Sequence, residues 1–331
     1  MVGLERRRFL AGAAASGAAA LLAIPARAAV EQTSIPGGAG RLALIRRRAD
    51  GPPVLLVHPY SPGTATAFDL EGRSWMEHLA ARGRDVWAFD LCGFGASTRP
   101  ASMDGPPGAA APIERASDGL RDLDAVVGHV LDQRGAPSLD LVGWSFGSVL
   151  AAMASISRPD RVRRLVLLGA MHGFDLPFMA ELFEESPGVV KRDLPAYRLV
   201  TPAFALAHWG MMRKTLPPDT VSETVVAQVE ATLQASDPTR APEVRQPMGP
   251  LVDLHAIWRN RPIYDAAAIT TPTLVVRGDH DLFADPGLAA KLTSAPFRDE
   301  VVIDQATHWA LFERRGPALV AAVDSFLERA M

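Results

Sequence analysis

Short, continuously apolar runs recur along the chain and alternate with longer segments of helical period. The runs fall at 42–45, 54–57, 86–89, 139–142, 165–168, 273–276 and 301–303. Most are apolar at every position rather than at every second one, which marks strands buried on both faces. Segments with helical patterning lie between them, at 74–82, 114–134, 148–157, 286–292 and 317–329. This alternation predicts an α/β fold: a mostly parallel central sheet flanked by helices. From 171 to 262 the alternation stops. That stretch holds eleven prolines, apolar helical pieces and no clear strand. Ninety residues of structureless loop do not suit a compact domain. A mainly helical cap over 171–262 is therefore expected, inserted into a core made of 29–170 and 263–331.

The N-terminus reads as an export signal. Arg6-Arg7-Arg8-Phe9-Leu10 has the twin-arginine pattern, and a weakly apolar segment follows up to Ile24. That segment is too short to span a bilayer, which takes about 20 apolar residues. Pro25 breaks it, and Ala26-Arg27-Ala28 offers a small-x-small cleavage site. Residues 1–28 are thus expected to be a twin-arginine signal peptide, and the mature chain to be periplasmic or secreted without a stable membrane span. The full chain has a formal charge of −3; losing four arginines and one glutamate leaves it near −6. No basic excess points to nucleic acid. The one cysteine, Cys92, cannot form an internal disulfide and reads as a small buried hydrophobe.

The densest chemical signal is Gly143-Trp144-Ser145-Phe146-Gly147. It directly follows the run 139–142 and precedes a helix-compatible run. Strand, sharp turn and helix form the context in which such a serine becomes a nucleophile. The flanking glycines remove Cβ atoms that would collide with the neighbouring strand and helix. Three other stretches stand just beyond apolar runs: His58-Pro59-Tyr60, Arg277-Gly278-Asp279-His280-Asp281 and Ala306-Thr307-His308-Trp309. Ligands gather at the carboxyl ends of strands in open α/β sheets.

Together these stretches closely resemble the α/β-hydrolase superfamily, from about residue 34 to the C-terminus. Asp90-Leu91-Cys92-Gly93-Phe94-Gly95-Ala96-Ser97 also looks like the Asp-x-x-Gly-x-Gly-x-Ser loop of esterase-like and peroxidase-like members. The motifs are specific for fold and weakly specific for substrate. The resemblance implies Ser145 as nucleophile, His308 as its base and Asp281 as the carboxylate that orients the imidazole. Asp279 and Asp285 compete for the last role, and the family's Gly-x-x-Asp spacing selects Asp281. One oxyanion donor falls on the Phe146 amide. The second belongs to the loop after the third strand, where the family usually has His-Gly. Here Pro59 follows His58 and has no N–H, so the motif position assigns Tyr60. His58 itself reads as a structural hydrogen-bonding residue.

An apolar pocket is expected above Ser145, with Trp144, Trp309, Phe174 and Phe178 as candidate substrate contacts. The expected activity is hydrolysis of a small carboxylic ester through an acyl-enzyme, without cofactor or metal. His280 between two aspartates lacks the His-x-x-x-His or cysteine cluster of a metal site. A lactonase, an amidase or proline-releasing peptidase, a carbon–carbon bond hydrolase and a cofactor-free haloperoxidase would use the same three residues. The peptidase reading calls for acids in the cap, such as Glu181, Glu184 and Glu185, to grip a substrate ammonium. A non-catalytic binding protein of the same fold is the alternative from a different class.

Overall fold

The computed structural model describes residues 30–330; the expected signal peptide lies outside the described residues. Eight strands form one sheet: β1 Val30–Pro36, β2 Arg41–Arg47, β3 Pro53–Val57, β4 Asp85–Phe89, β5 Leu139–Trp144, β6 Val162–Leu168, β7 Thr273–Gly278 and β8 Arg298–Ile303. Their order is β1-β2-β4-β3-β5-β6-β7-β8. The first pair is an antiparallel hairpin, and β2 also runs antiparallel to β4. All later pairings are parallel.

Every residue of β3, β4 and β5 is buried, as continuous apolarity demands of inner strands. Asp140 interrupts the β5 run and is nonetheless fully buried. Arg84 and Arg163 reach it at 2.7 and 2.6 Å, so its charge is paired. β1 escaped the sequence pattern because it is an edge strand. Six of its seven residues are exposed, and only Ile35 is buried.

The helices owe their ends to local chemistry. Ser74 caps Trp75–Ala81 by accepting from the Glu77 amide at 2.9 Å. Helix Ala116–Arg134 stops at Gly135, which takes the left-handed conformation at φ 57°. Its buried stripe Leu123, Val126, Val127, Val130 has the helical period. Phe146–Ser157 and Gly316–Glu328 complete the main helical layers.

Between β6 and β7 lies the cap. It contains helices Pro177–Ala180, Pro202–Ala205, Ala207–Arg213, Glu223–Ala235 and Gly249–Trp258. It also contains two antiparallel ribbons, which corrects the expectation of a strandless segment. Glu184–Ser186 pairs with Val189–Val190, and Tyr197–Val200 pairs with Val244–Pro247. These strands are two to four residues long and mix Arg, Gln and Pro with apolar residues, too short for a period to show. Buried charge pairs brace the cap. Glu184 accepts from His255 and from both arms of Arg259, and Arg259 holds its carboxyl down at about 2. Asp253 accepts from Arg115 and the Ala116 amide, tying the cap to the start of a core helix.

Candidate active site

Ser145 sits between β5 and the following helix with φ 59° and ψ −121°, a strained conformation for a residue with a Cβ. The surroundings hold it there. Its amide donates to Leu168 O at 2.8 Å, and its carbonyl accepts from the Ser148 amide and hydroxyl. A Cβ on Gly143 would lie 2.3 Å from Gly147 O, and one on Gly147 would lie 2.2 Å from Val57 O. Both positions therefore demand glycine, as the pentapeptide predicts.

His308 follows β8. Its Nδ1 lies 2.9 Å from both carboxylate oxygens of Asp281. A carboxylate only accepts, so Nδ1 carries the proton and Nε2 is left to accept one. Asp281 Oδ1 also accepts from the Phe283 and Ala284 amides, at 2.9 and 3.1 Å. The competing acids go elsewhere. Asp279 bonds His280 and the Ala306 amide, while Asp285 bonds Lys291 and the Gly287 amide. His280 is thus engaged by Asp279.

Gly169 was not singled out by sequence, yet it makes the imidazole–carboxylate pairing possible. Its φ is +53°, and a Cβ there would lie 2.8 Å from His308 Cε1 and 3.1 Å from Asp281 Oδ2. A glycine immediately after the β6 run was the available signal.

The His308 loop is clamped from several sides. Trp144 Nε1 donates to His308 O at 3.1 Å. The buried carboxylate of Glu313 accepts from the Thr307 amide at 2.8 Å, from the Thr307 hydroxyl, and from Trp209 Nε1 of the cap at 2.9 Å. Burial pushes the Glu313 carboxyl above its ordinary value, and the nearby Asp281 charge adds to the rise. Trp309 stacks on Trp209 at 4.8 Å and donates to His208 Nε2 at 3.0 Å. His208 therefore accepts at Nε2 and is neutral. Burial first, then the neighbouring His308 and Arg198 charges, lower its pKa to about 3.

Ser145 and His308 share a cavity of about 480 Å³, within the range of small-molecule sites. The cap supplies most of the other walls, including Phe178, Leu182, Phe204 and Met211. Of the four expected substrate contacts, Phe178 lines the cavity. Trp144 and Trp309 do not, because they pack against each other at 5.3 Å and brace the His308 loop from beneath. Phe174 packs on the core instead. Glu181, Glu184 and Glu185 are also absent from the walls, and Glu184 is spent on Arg259 and His255. The lining has two cations, Arg198 and Lys214, and no carboxylate.

Phe146 opens the helix that follows Ser145, and Tyr60 lines the same cavity as Ser145. Among the described residues, neither backbone amide donates to a protein acceptor. The Tyr60 hydroxyl donates to Pro247 O at 2.9 Å, which fixes the loop to the cap. His58 is fully buried, donates from Nδ1 to Pro59 O and accepts the Leu91 amide at Nε2, bridging two loops. Burial lowers its pKa, so it stays neutral. A separate group, Cys92, Glu114 and Asp122, lies outside the cavity walls with its ligand atoms within 4.8 Å of one another.

A family model for the alpha/beta hydrolase fold matches residues 52–315, and the chain belongs to that family. A 2-hydroxymuconate semialdehyde hydrolase from Pseudomonas putida is 31% identical over 296 residues, covering 88% of this chain and 92% of that protein. A human (lyso)-N-acylphosphatidylethanolamine lipase is 34% identical over 122 residues, covering 36% of this chain and 30% of the lipase. Among solved structures, E-2-(acetamidomethylene)succinate hydrolase shares the fold with a TM-score of 0.60 at 17% identity, covering 91% of this chain and 100% of that one.

Proposed function

We propose that the protein is a serine hydrolase for a small organic acid that also carries a reactive carbonyl, and that the bond it splits is a carbon–carbon bond. The observation that carries this reading is the wall composition: Ser145 shares an apolar cavity with two cations and no anion. Arg198 is held by a neutral acceptor, Oε1 of Gln246, and lies over the Tyr60 ring. An uncompensated guanidinium in such a cavity favours a substrate carboxylate. The Pseudomonas putida relative supports the bond type. The name 2-hydroxymuconate semialdehyde denotes an unsaturated acid with an aldehyde. Such a compound has no ester, amide or lactone bond, so its hydrolysis splits carbon from carbon beside the carbonyl.

The chemistry proceeds from the residues already placed. Ser145 Oγ attacks the carbonyl carbon while His308 Nε2 takes its proton. Asp281 stabilises the resulting imidazolium and holds its ring. The Tyr60 and Phe146 amides receive the developing oxyanion. When the carbon–carbon bond of the keto tautomer of such an acid breaks, its electron pair enters the conjugated keto acid as a dienolate, which takes up the proton from His308. Water, deprotonated by the same imidazole, then releases the acyl group from Ser145.

Ester hydrolysis is the second reading, favoured by the exposed apolar rim. Phe178 and Phe204 keep 44% and 63% of their surface open at the cavity mouth. A panel decides between them: 2-hydroxy-6-oxo-dienoates, followed by loss of their absorbance, against aryl esters of matched size. The carbon–carbon reading expects kcat/KM to be higher on the dienoates. Turnover confined to neutral esters would overturn it.

A further inference from the structure

Buried arginines in this protein are generally held by carboxylates. Arg46 pairs with Asp85, Arg245 with Asp237 and Arg84 with Asp140. Arg198, which is half-buried, is held differently. Its Nε and Nη2 donate at 3.0 and 2.8 Å to one oxygen, Oε1 of Gln246, its partner across the ribbon. Guanidinium has only donors, so the amide orientation is unambiguous. Gln246 is 2% exposed, and its Nε2 donates to Ser61 Oγ at 2.8 Å. Arg198 also lies over the Tyr60 ring, with Cζ 5.2 Å from the centroid. Both contacts position the guanidinium without cancelling its charge.

We infer that Gln246 is a specificity-determining residue that sets the cavity's preference for anionic substrates. A neutral acceptor at this position fixes the fork of Arg198 and leaves its full charge for a ligand. A carboxylate one residue-type away would fix it equally well and consume that charge. The Gln246–Ser61 bond adds a second consequence: the anion anchor is held at a set distance from the Tyr60 loop, where the substrate carbonyl would lie. This inference rests on the anionic-substrate reading above and names the residue that enforces it.

The test is Gln246→Glu, which adds a carboxylate beside Arg198. Two aryl esters of matched length serve as probes, p-nitrophenyl butyrate and the p-nitrophenyl monoester of succinate. The ratio of kcat/KM, anionic over neutral, is expected to fall about tenfold, through KM, as one charge-assisted contact is lost. Gln246→Met, which removes the acceptor and adds no charge, should lower the ratio less. An equilibrium arm needs no turnover: glutarate binding to Ser145→Ala protein by calorimetry, against Ser145→Ala/Gln246→Glu. About tenfold weaker binding is expected, with neutral glutaramide as the control ligand. If the ester ratio and the glutarate affinity are both insensitive to Gln246→Glu in protein with a normal thermal melt, the inference is wrong. If Gln246→Glu does not fold, an anionic preference as high in Gln246→Met as in wild type overturns it. Absent turnover with an intact glutarate effect would instead sink the hydrolase reading alone.

Discussion

Ser145, Asp281 and His308 stand on short turns at the carboxyl ends of β5, β7 and β8, whereas Phe178, Arg198, His208 and Phe204 face them from short helices and a two-stranded ribbon of the cap. The floor is over-determined. Ser145 holds φ 59° because strand, helix and two glycines leave it no alternative. The roof has looser terms: Phe178 and Phe204 are largely exposed, and its polar groups are set by pairs within the cap, such as Arg198 with Gln246. Chemistry and selectivity are thus stored in separate parts of the fold. Small shifts in the floor should cost turnover, and changes in the roof should redistribute substrates.

The sharpest break of that comparison is Ser145→Ala, expected to lower kcat by about a thousandfold or more in folded protein. Gly169→Ala comes next. The added Cβ strikes the His308–Asp281 pair and also sits at φ +53°. We expect roughly a hundredfold loss in kcat and about 1 kcal/mol or more of stability, read by steady-state kinetics and denaturant melts. Phe204→Ala in the roof should alter KM severalfold and leave kcat largely in place; a kcat loss rivalling that of Gly169→Ala would erase the distinction.

Glu313→Gln tests a buried hydrogen-bonded link between the two regions. Glu313 accepts from Thr307 in the floor and Trp209 in the roof. An amide has one accepting oxygen where the carboxylate has two, so it loses either the Thr307 amide at Oε2 or the Trp209 and Thr307 hydroxyl donors at Oε1, and kcat should drop about tenfold with KM less affected. Equal losses in both parameters would mean the bond braces only the pocket.

A pH dependence of stability, without any change in the catalytic residues, comes last. His208 titrates at about 3 in the fold against 6.5 ordinarily, because burial disfavours its charge. Between those values the unfolded chain binds a proton that the native protein does not. Its contribution to stability is therefore complete above about 6.5 and is lost as pH falls toward 3. Melting temperature should decline over that window, and less steeply in His208→Asn. Identical slopes would show that other groups dominate acid unfolding.

Inner strands were legible because burial on both faces writes itself as unbroken apolarity. The Ser145 turn was legible because Gly143 and Gly147 mark close backbone approaches only a few residues away. The choice of Asp281 over Asp279 and Asp285 followed the family's Gly-x-x-Asp spacing; only the fold shows which acid meets His308. The cap ribbons were missed, since Tyr197–Val200 and Val244–Pro247 pair across more than forty residues with no local period to announce it. Trp144 and Trp309 looked like pocket walls because they neighbour Ser145 and His308 in sequence, but adjacent side chains on a turn point different ways. Local covalent geometry decides where a strand ends and a turn must be strained, so the sequence alone determined the fold and the elbow. Which charges face the cavity, and which are neutralised on the way, depends on side chains brought together from distant segments. That was decided by the tertiary structure, in Arg198 held by Gln246 and in Gly169 making room for an imidazole.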